Sequence, residues 1–84
     1  MKYHENSAEA HFLLARARHK LGFANSAMEA YNAAISQNRN FGEAYLYRGA
    51  LKTTLKFKSA CEDFKTAEKM GVEGAEEAVK RYCG

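Results

Sequence analysis

The segment Asn6-Ser7-Ala8-Glu9-Ala10-His11-Phe12-Leu13-Leu14-Ala15-Arg16-Ala17-Arg18-His19-Lys20-Leu21-Gly22 returns 34 residues later as Asn40-Phe41-Gly42-Glu43-Ala44-Tyr45-Leu46-Tyr47-Arg48-Gly49-Ala50-Leu51-Lys52-Thr53-Thr54-Leu55-Lys56. Asn, Glu, Ala and Leu recur in place at Asn6/Asn40, Glu9/Glu43, Ala10/Ala44 and Leu21/Leu55, and a small residue faces a small one at Ala15/Gly49. A fixed period in the tens of residues is the signature of a repeat architecture, in which each unit buries its apolar face only by stacking on the next.

Each copy opens with the same start signal. Asn6 and Asn40 stand three residues before Glu9 and Glu43, the spacing at which a capping side chain and a returning carboxylate satisfy the first free amides of a helix. Behind the signal, Ala10, Leu14, Ala17 and Leu21 recur every three or four positions, and Ala44, Tyr45, Leu51 and Leu55 supply the apolar positions of the second copy. Both series predict amphipathic helices whose stripe faces the core. Leu21-Gly22 ends the first helix, and a second series begins at once with Ala24, Ala27, Met28, Tyr31, Ala34 and Ile35, so the unit is a helical hairpin. In the second copy the break at Leu55-Lys56-Phe57 is one residue shorter and has no glycine. A tighter or distorted turn is expected there before Ala60, Cys61, Phe64 and Ala67 resume the pattern. Met70-Gly71 ends a fourth helix, and Val72, Ala75, Ala78, Val79 and Tyr82 among Glu76, Glu77, Lys80 and Arg81 predict a fifth with the polar outer face of a terminal cap.

Composition agrees. The 84 residues include no proline and only six glycines, which favours helices over strand-and-turn folds. A net charge of +3 from 13 basic and 10 acidic residues, spread along the chain, is a small balance for a phosphate binder. No apolar run is long enough for a membrane span, and the polar start Met1-Lys2-Tyr3-His4-Glu5-Asn6 is unlike a secretory leader. The fold expected is all-α: antiparallel hairpins stacked as a short right-handed α-solenoid of five helices. It forms one domain over residues 1–84, with repeats at about 7–40 and 41–71 and a capping helix at about 73–83.

The spaced residues resemble the tetratricopeptide repeat. His11-x-x-Leu14-Ala15-x-x-Arg18, Lys20-Leu21-Gly22 and Ala27-x-x-x-Tyr31-x-x-Ala34 carry the likeness in the first unit. Tyr45-x-x-Arg48-Gly49-x-x-Lys52, Leu55 and Ala60-x-x-x-Phe64-x-x-Ala67 carry it in the second. His11 stands where a large aromatic is usual, Arg18 and Lys52 replace a tyrosine, and Arg39 replaces the proline that closes the unit. Ala15, Gly49, Ala27 and Ala60 are small where helices approach closely, and Tyr31 and Phe64 are expected to fill the wedge between neighbours. Two units make a short array. The chain is therefore expected to be the tail of a longer protein or a unit stabilised by self-association.

The resemblance implies a protein-interaction scaffold whose first helices line a concave groove. Helical spacing then assigns the groove to Glu9, Phe12, Arg16, His19 and Lys20 on the first helix and to Glu43, Leu46, Ala50, Thr53 and Thr54 on the third, with Leu13 and Tyr47 at the edge. Phe12 and Leu46 with Arg16, His19 and Lys20 suggest a protein or peptide partner bearing apolar and acidic side chains. The alternative for the same residues is that Phe12 and Leu46 pack between helices while the cations form a solvated face. The carboxylate clamp of some chaperone-binding relatives is not expected, because Phe12, Arg16 and Tyr47 stand at or near its positions.

Two other functional classes compete. A helical-repeat RNA binder would use Arg16, Arg18, Lys20, Arg48, Lys52, Lys56 and Lys58, although Arg18 and Lys52 are predicted to face neighbouring helices. A self-associating assembly element, a homo-oligomer, would bury the array's open N-terminal end. No enzymatic activity and no cofactor are expected, since no Gly-rich phosphate loop, ordered nucleophile or carboxylate pair occurs. His4, His11 and His19 lack the spacing that puts two imidazoles on one metal from one helix. Cys61 and Cys83 lie eleven residues either side of Val72, level across the last hairpin, so a bridge is geometrically open to them, as is burial of free thiols.

Overall fold

The computed structural model describes residues 7–83. Five helices follow one another: α1 Ala8–Lys20, α2 Ala24–Gln37, α3 Gly42–Thr54, α4 Ala60–Lys69 and α5 Ala75–Tyr82. Each packs on its sequence neighbour, and α1 also touches α3. There is no strand among the described residues. The molecule is an all-α stack of helical hairpins.

The first N-terminus is capped one residue later than the Asn signal suggests. Ser7 is the cap, its hydroxyl accepting from the amide of Ala10 at 3.1 Å, while Asn6 lies outside the described residues. Asn40 does not cap α3 either. Phe41 occupies that position without a side-chain bond, and it packs its ring 4.9 Å from that of Phe12. Burying an aromatic at the corner displaces the polar cap. The corner itself is held by the Asn38 side chain, which accepts from the Asn40 amide, and by the Tyr45 hydroxyl, which donates to the Arg39 carbonyl. These bonds secure the loop around Arg39.

The turn after α3 is not tighter than the turn after α1. Gly22 takes φ +87 and Lys56 takes φ +64. In both turns the following amide reaches back to the helix, Phe23 to Arg18 at 2.9 Å and Phe57 to Lys52 at 2.8 Å. The missing residue is absorbed later, where α4 starts. Ala27 binds the carbonyl of Phe23 four residues back, whereas Ala60 binds Phe57 only three back. The turn that leads into α4, from Phe57 to Ala60, thus has the three-residue spacing of a 3₁₀-helix.

Small residues and two aromatics make the core. Ala15, Ala27, Tyr31, Ala34, Ala44, Ala67 and Ala75 are fully buried, with Phe64 and Leu51 nearly so. Tyr31 and Phe64, expected to sit between helices, are both buried, on α2 and α4. Gly49 lets α4 approach, because a Cβ there would lie 2.8 Å from the Phe64 ring. One charge is buried among these groups. Asp63 accepts two bonds of 2.8 Å from the Arg48 guanidinium and pairs with the Lys52 ammonium at 3.2 Å. This bidentate bond holds the Arg48 pKa above its ordinary value, against the opposing effect of burial.

The stripe expected to bury α1 is instead its outer face. Ala10, Leu14, Ala17 and Leu21 are all exposed, and α1 reaches the core through Phe12 and Ala15. No described element packs over that stripe. The α3 counterparts of Ala10 and Ala17, which are Ala44 and Leu51, belong to the core cluster formed with α2. The C-terminal end is closed differently. Cys61 and Cys83 are bridged, with Cα atoms 5.4 Å apart, and Tyr82 stacks on Phe64. Both ties fasten α5 to α4.

Candidate functional site: a cleft between the first and third helices

The first turns of α1, the α2–α3 corner and the start of α3 enclose an open cleft of about 460 Å³, lined by Ala8, Glu9, Phe12, Leu13, Arg16, Asn38, Phe41 and Glu43. Its floor follows from local structure. Phe12 points inward at 5 % exposure, set among the rings of Tyr31, Phe41 and Tyr47. Leu13, one residue on, is more than half exposed, so the helix offers an apolar edge above an aromatic floor.

Charge sits on the rim. The Arg16 guanidinium lies 4.6 Å from the centroid of the Tyr47 ring, which holds the cation in place while leaving its donors available. Among the described residues Arg16 makes no ion pair, since the two salt bridges there are both on Asp63. Glu9 and Glu43 are exposed at the mouth. Each lies in the first turn of its helix, where a carboxylate is favoured by the helix dipole.

Of the residues assigned to the groove by helical spacing, the cleft brings together Glu9, Phe12, Arg16 and Glu43, and Tyr47 stands beside it under Arg16. Phe12 contributes as buried floor rather than as an exposed anchor, because three rings close over it. Leu46 and Ala50 are half-buried on α3 outside the cleft lining, and the Thr53 hydroxyl is turned back onto the Ala50 carbonyl at 2.6 Å. Lys20 and Thr54 are exposed away from the cleft.

His19 is occupied elsewhere. Its Nδ1 lies 2.9 Å from the Tyr31 hydroxyl. Burial, with the nearby Arg16 charge second, lowers the His19 pKa. Burial also pushes Tyr31 up to about 12, partly offset by Arg16. The hydroxyl therefore keeps its proton, and its hydrogen bond with the imidazole ties α1 to α2. Helical spacing alone could not find this bond, since it joins residues of different helices.

Spacing also missed Asn38 and Phe41, which enter the cleft from the corner between helices. The one available signal was the aromatic at Phe41, beside the Asn40 start signal. Several cations named for nucleic-acid binding are committed inward: Arg48 and Lys52 to Asp63, and Arg18 to the Ser26 carbonyl. No helix among the described residues is long and apolar enough to cross a membrane. No protein-family model matches the chain, and no curated protein matches it.

Proposed function

We propose that the chain is a pair of tetratricopeptide-type units with a capping helix, and that it binds a peptide or helix of another protein in the α1–α3 cleft. The observation that carries this reading is Arg16. It is a cation held on the Tyr47 ring at the edge of an aromatic floor, with no carboxylate partner among the described residues. An occupant would seat an apolar side chain against Phe12, Leu13 and Phe41 and present a carboxylate to Arg16. Support for the family reading comes from the matching corner after α1 and α3, and from Tyr31 and Phe64, each buried on the second helix of its hairpin.

A displayed library of amphipathic peptides tests the reading. Selected sequences should share an apolar anchor within one helical turn of Asp or Glu, and Arg16→Glu should weaken them tenfold or more, as should Leu13→Asp. A selection that yields no enriched sequence, or one indifferent to both substitutions, would overturn it.

A further inference from the structure

Among the described residues, the outer face of α1 is an apolar surface that the stack leaves uncovered. Leu21 is 68 % exposed, Leu14 43 % and Phe23 58 %. The repeat supplies an internal standard for this face. At a spacing of 34, Ala10, Ala17 and Leu21 become Ala44, Leu51 and Leu55, all of which pack with α2 in the core cluster. Leu14 becomes Arg48, which is bound to Asp63 of α4, so this surface is covered on α3, whereas no described element covers it on α1. Exposed apolar faces of this kind mark contact sites.

Three features identify the covering helix. First, the stripe alternates small and large, as Ala10, Leu14, Ala17 and Leu21, at spacings of four, three and four. Turned antiparallel upon itself, it sets Leu14 against Ala17 and Leu21 against Ala10 along its whole length, so each large side chain meets a small one. Second, α1 carries Glu9 in its first turn and Arg18, His19 and Lys20 in its last. Antiparallel pairing brings Glu9 level with position 22 of the second copy, about 3 Å along the axis from its Lys20. The two helix dipoles also oppose each other. Third, the far end of the stack offers no match, because the exposed positions of α5 are Glu76, Glu77, Lys80, Arg81 and Tyr82. Head-to-tail stacking would place the apolar face of α1 on a largely charged surface.

We propose that the chain self-associates through α1, two copies pairing antiparallel about a two-fold axis with Leu14 of each seated on Ala17 of the other. Of the residues used here, the contact shares Glu9 with the cleft, which opens beside α3. One helix face of this length covers roughly 400–500 Å² per copy, about half of a standard interface, so the dimer is a weak one whose population depends on concentration.

Sedimentation equilibrium from about ten micromolar to one millimolar tests it. The chain should pass from monomer to dimer, and Leu14→Glu, which alters an exposed position and leaves helicity by circular dichroism unchanged, should abolish the transition. Phe57→Ser, at an exposed apolar residue elsewhere, should leave it intact. Orientation is read from charge. Glu9→Lys and Lys20→Glu should each weaken the dimer severalfold, and the double swap should restore it. In a parallel pair like charges would already face each other, and the double swap would rescue nothing. A monomer at one millimolar, a dimer indifferent to Leu14→Glu, or single swaps without effect would overturn the proposal.

Discussion

At the scale of single residues, the two corner positions Gly22 and Lys56 do one conformational task with different chemistry. Both are left-handed, a region that costs a side chain about 1–2 kcal/mol and glycine almost nothing. Glycine gives back part of that advantage through its greater freedom when unfolded. Lys56→Gly should therefore stabilise the chain by about 0.5–1 kcal/mol, read as a higher urea midpoint at unchanged slope. His19 offers a second test, through pH. Its unfolded pKa is 6.5 and its folded pKa is lower, so between the two values the unfolded chain holds more protons. Stability that is complete above 6.5 should fall as pH drops through that value, and this group should add nothing further below its folded pKa. His19→Gln should flatten that part of the profile, measured as urea midpoints from pH 8 to 5. Neither feature was legible in the sequence. The Lys56 conformation is imposed by the corner, whose hydrogen bonds reproduce those at Gly22, and the His19 bond depends on how α1 and α2 are registered.

At the scale of helices, the period and the breaks at Gly22 and Gly71 located all five elements, because helix formation and termination are governed by local spacing. Which face of α1 is buried was not local. α1 carries two apolar stripes, Phe12 with Ala15 and Ala10 with Leu14, Ala17 and Leu21, and periodicity cannot choose between them. The choice depends on which neighbour is present, and among the described residues α1 packs against α2 and α3. The cleft was half legible for the same reason: Glu9, Phe12, Arg16 and Glu43 follow helical spacing, whereas Asn38 and Phe41 arrive from a corner. In contrast, the need for a small residue at Gly49 could be read from the repeat, and the packing makes it quantitative. A methyl group there would lie within 2.8–3.2 Å of the Phe64 ring and of the Asp63 Cβ. Gly49→Ala should therefore lose about 1–2 kcal/mol by urea denaturation, because overpacking of about 1–3 kcal/mol outweighs the gain in helix propensity. The equivalent first-unit residue is already Ala15 and is fully buried.

Across the whole molecule, the two ends of the stack are finished by different means. The N-terminal end exposes apolar surface, while the C-terminal end is covered by α5, a helix of eight residues with a single fully buried side chain, Ala75. An element that short contributes little burial of its own, and isolated helices of its length do not persist in water. Its attachment rests on the Tyr82–Phe64 stack and on the Cys61–Cys83 bridge, whose partners are 22 residues apart. Closing a loop of that length stabilises a fold by roughly 3 kcal/mol, a large part of the total for a domain of this size. Reduction with a dithiol should lower the urea midpoint accordingly. If the bridge acts chiefly on α5, amide exchange should accelerate from residue 75 onward before it does in α2 or α3. Cys83→Ser should reproduce both effects without reductant. Equal acceleration in all five helices would instead mean that α5 and the two hairpins unfold as one cooperative unit. In that case the bridge would be holding the stack together rather than its last helix.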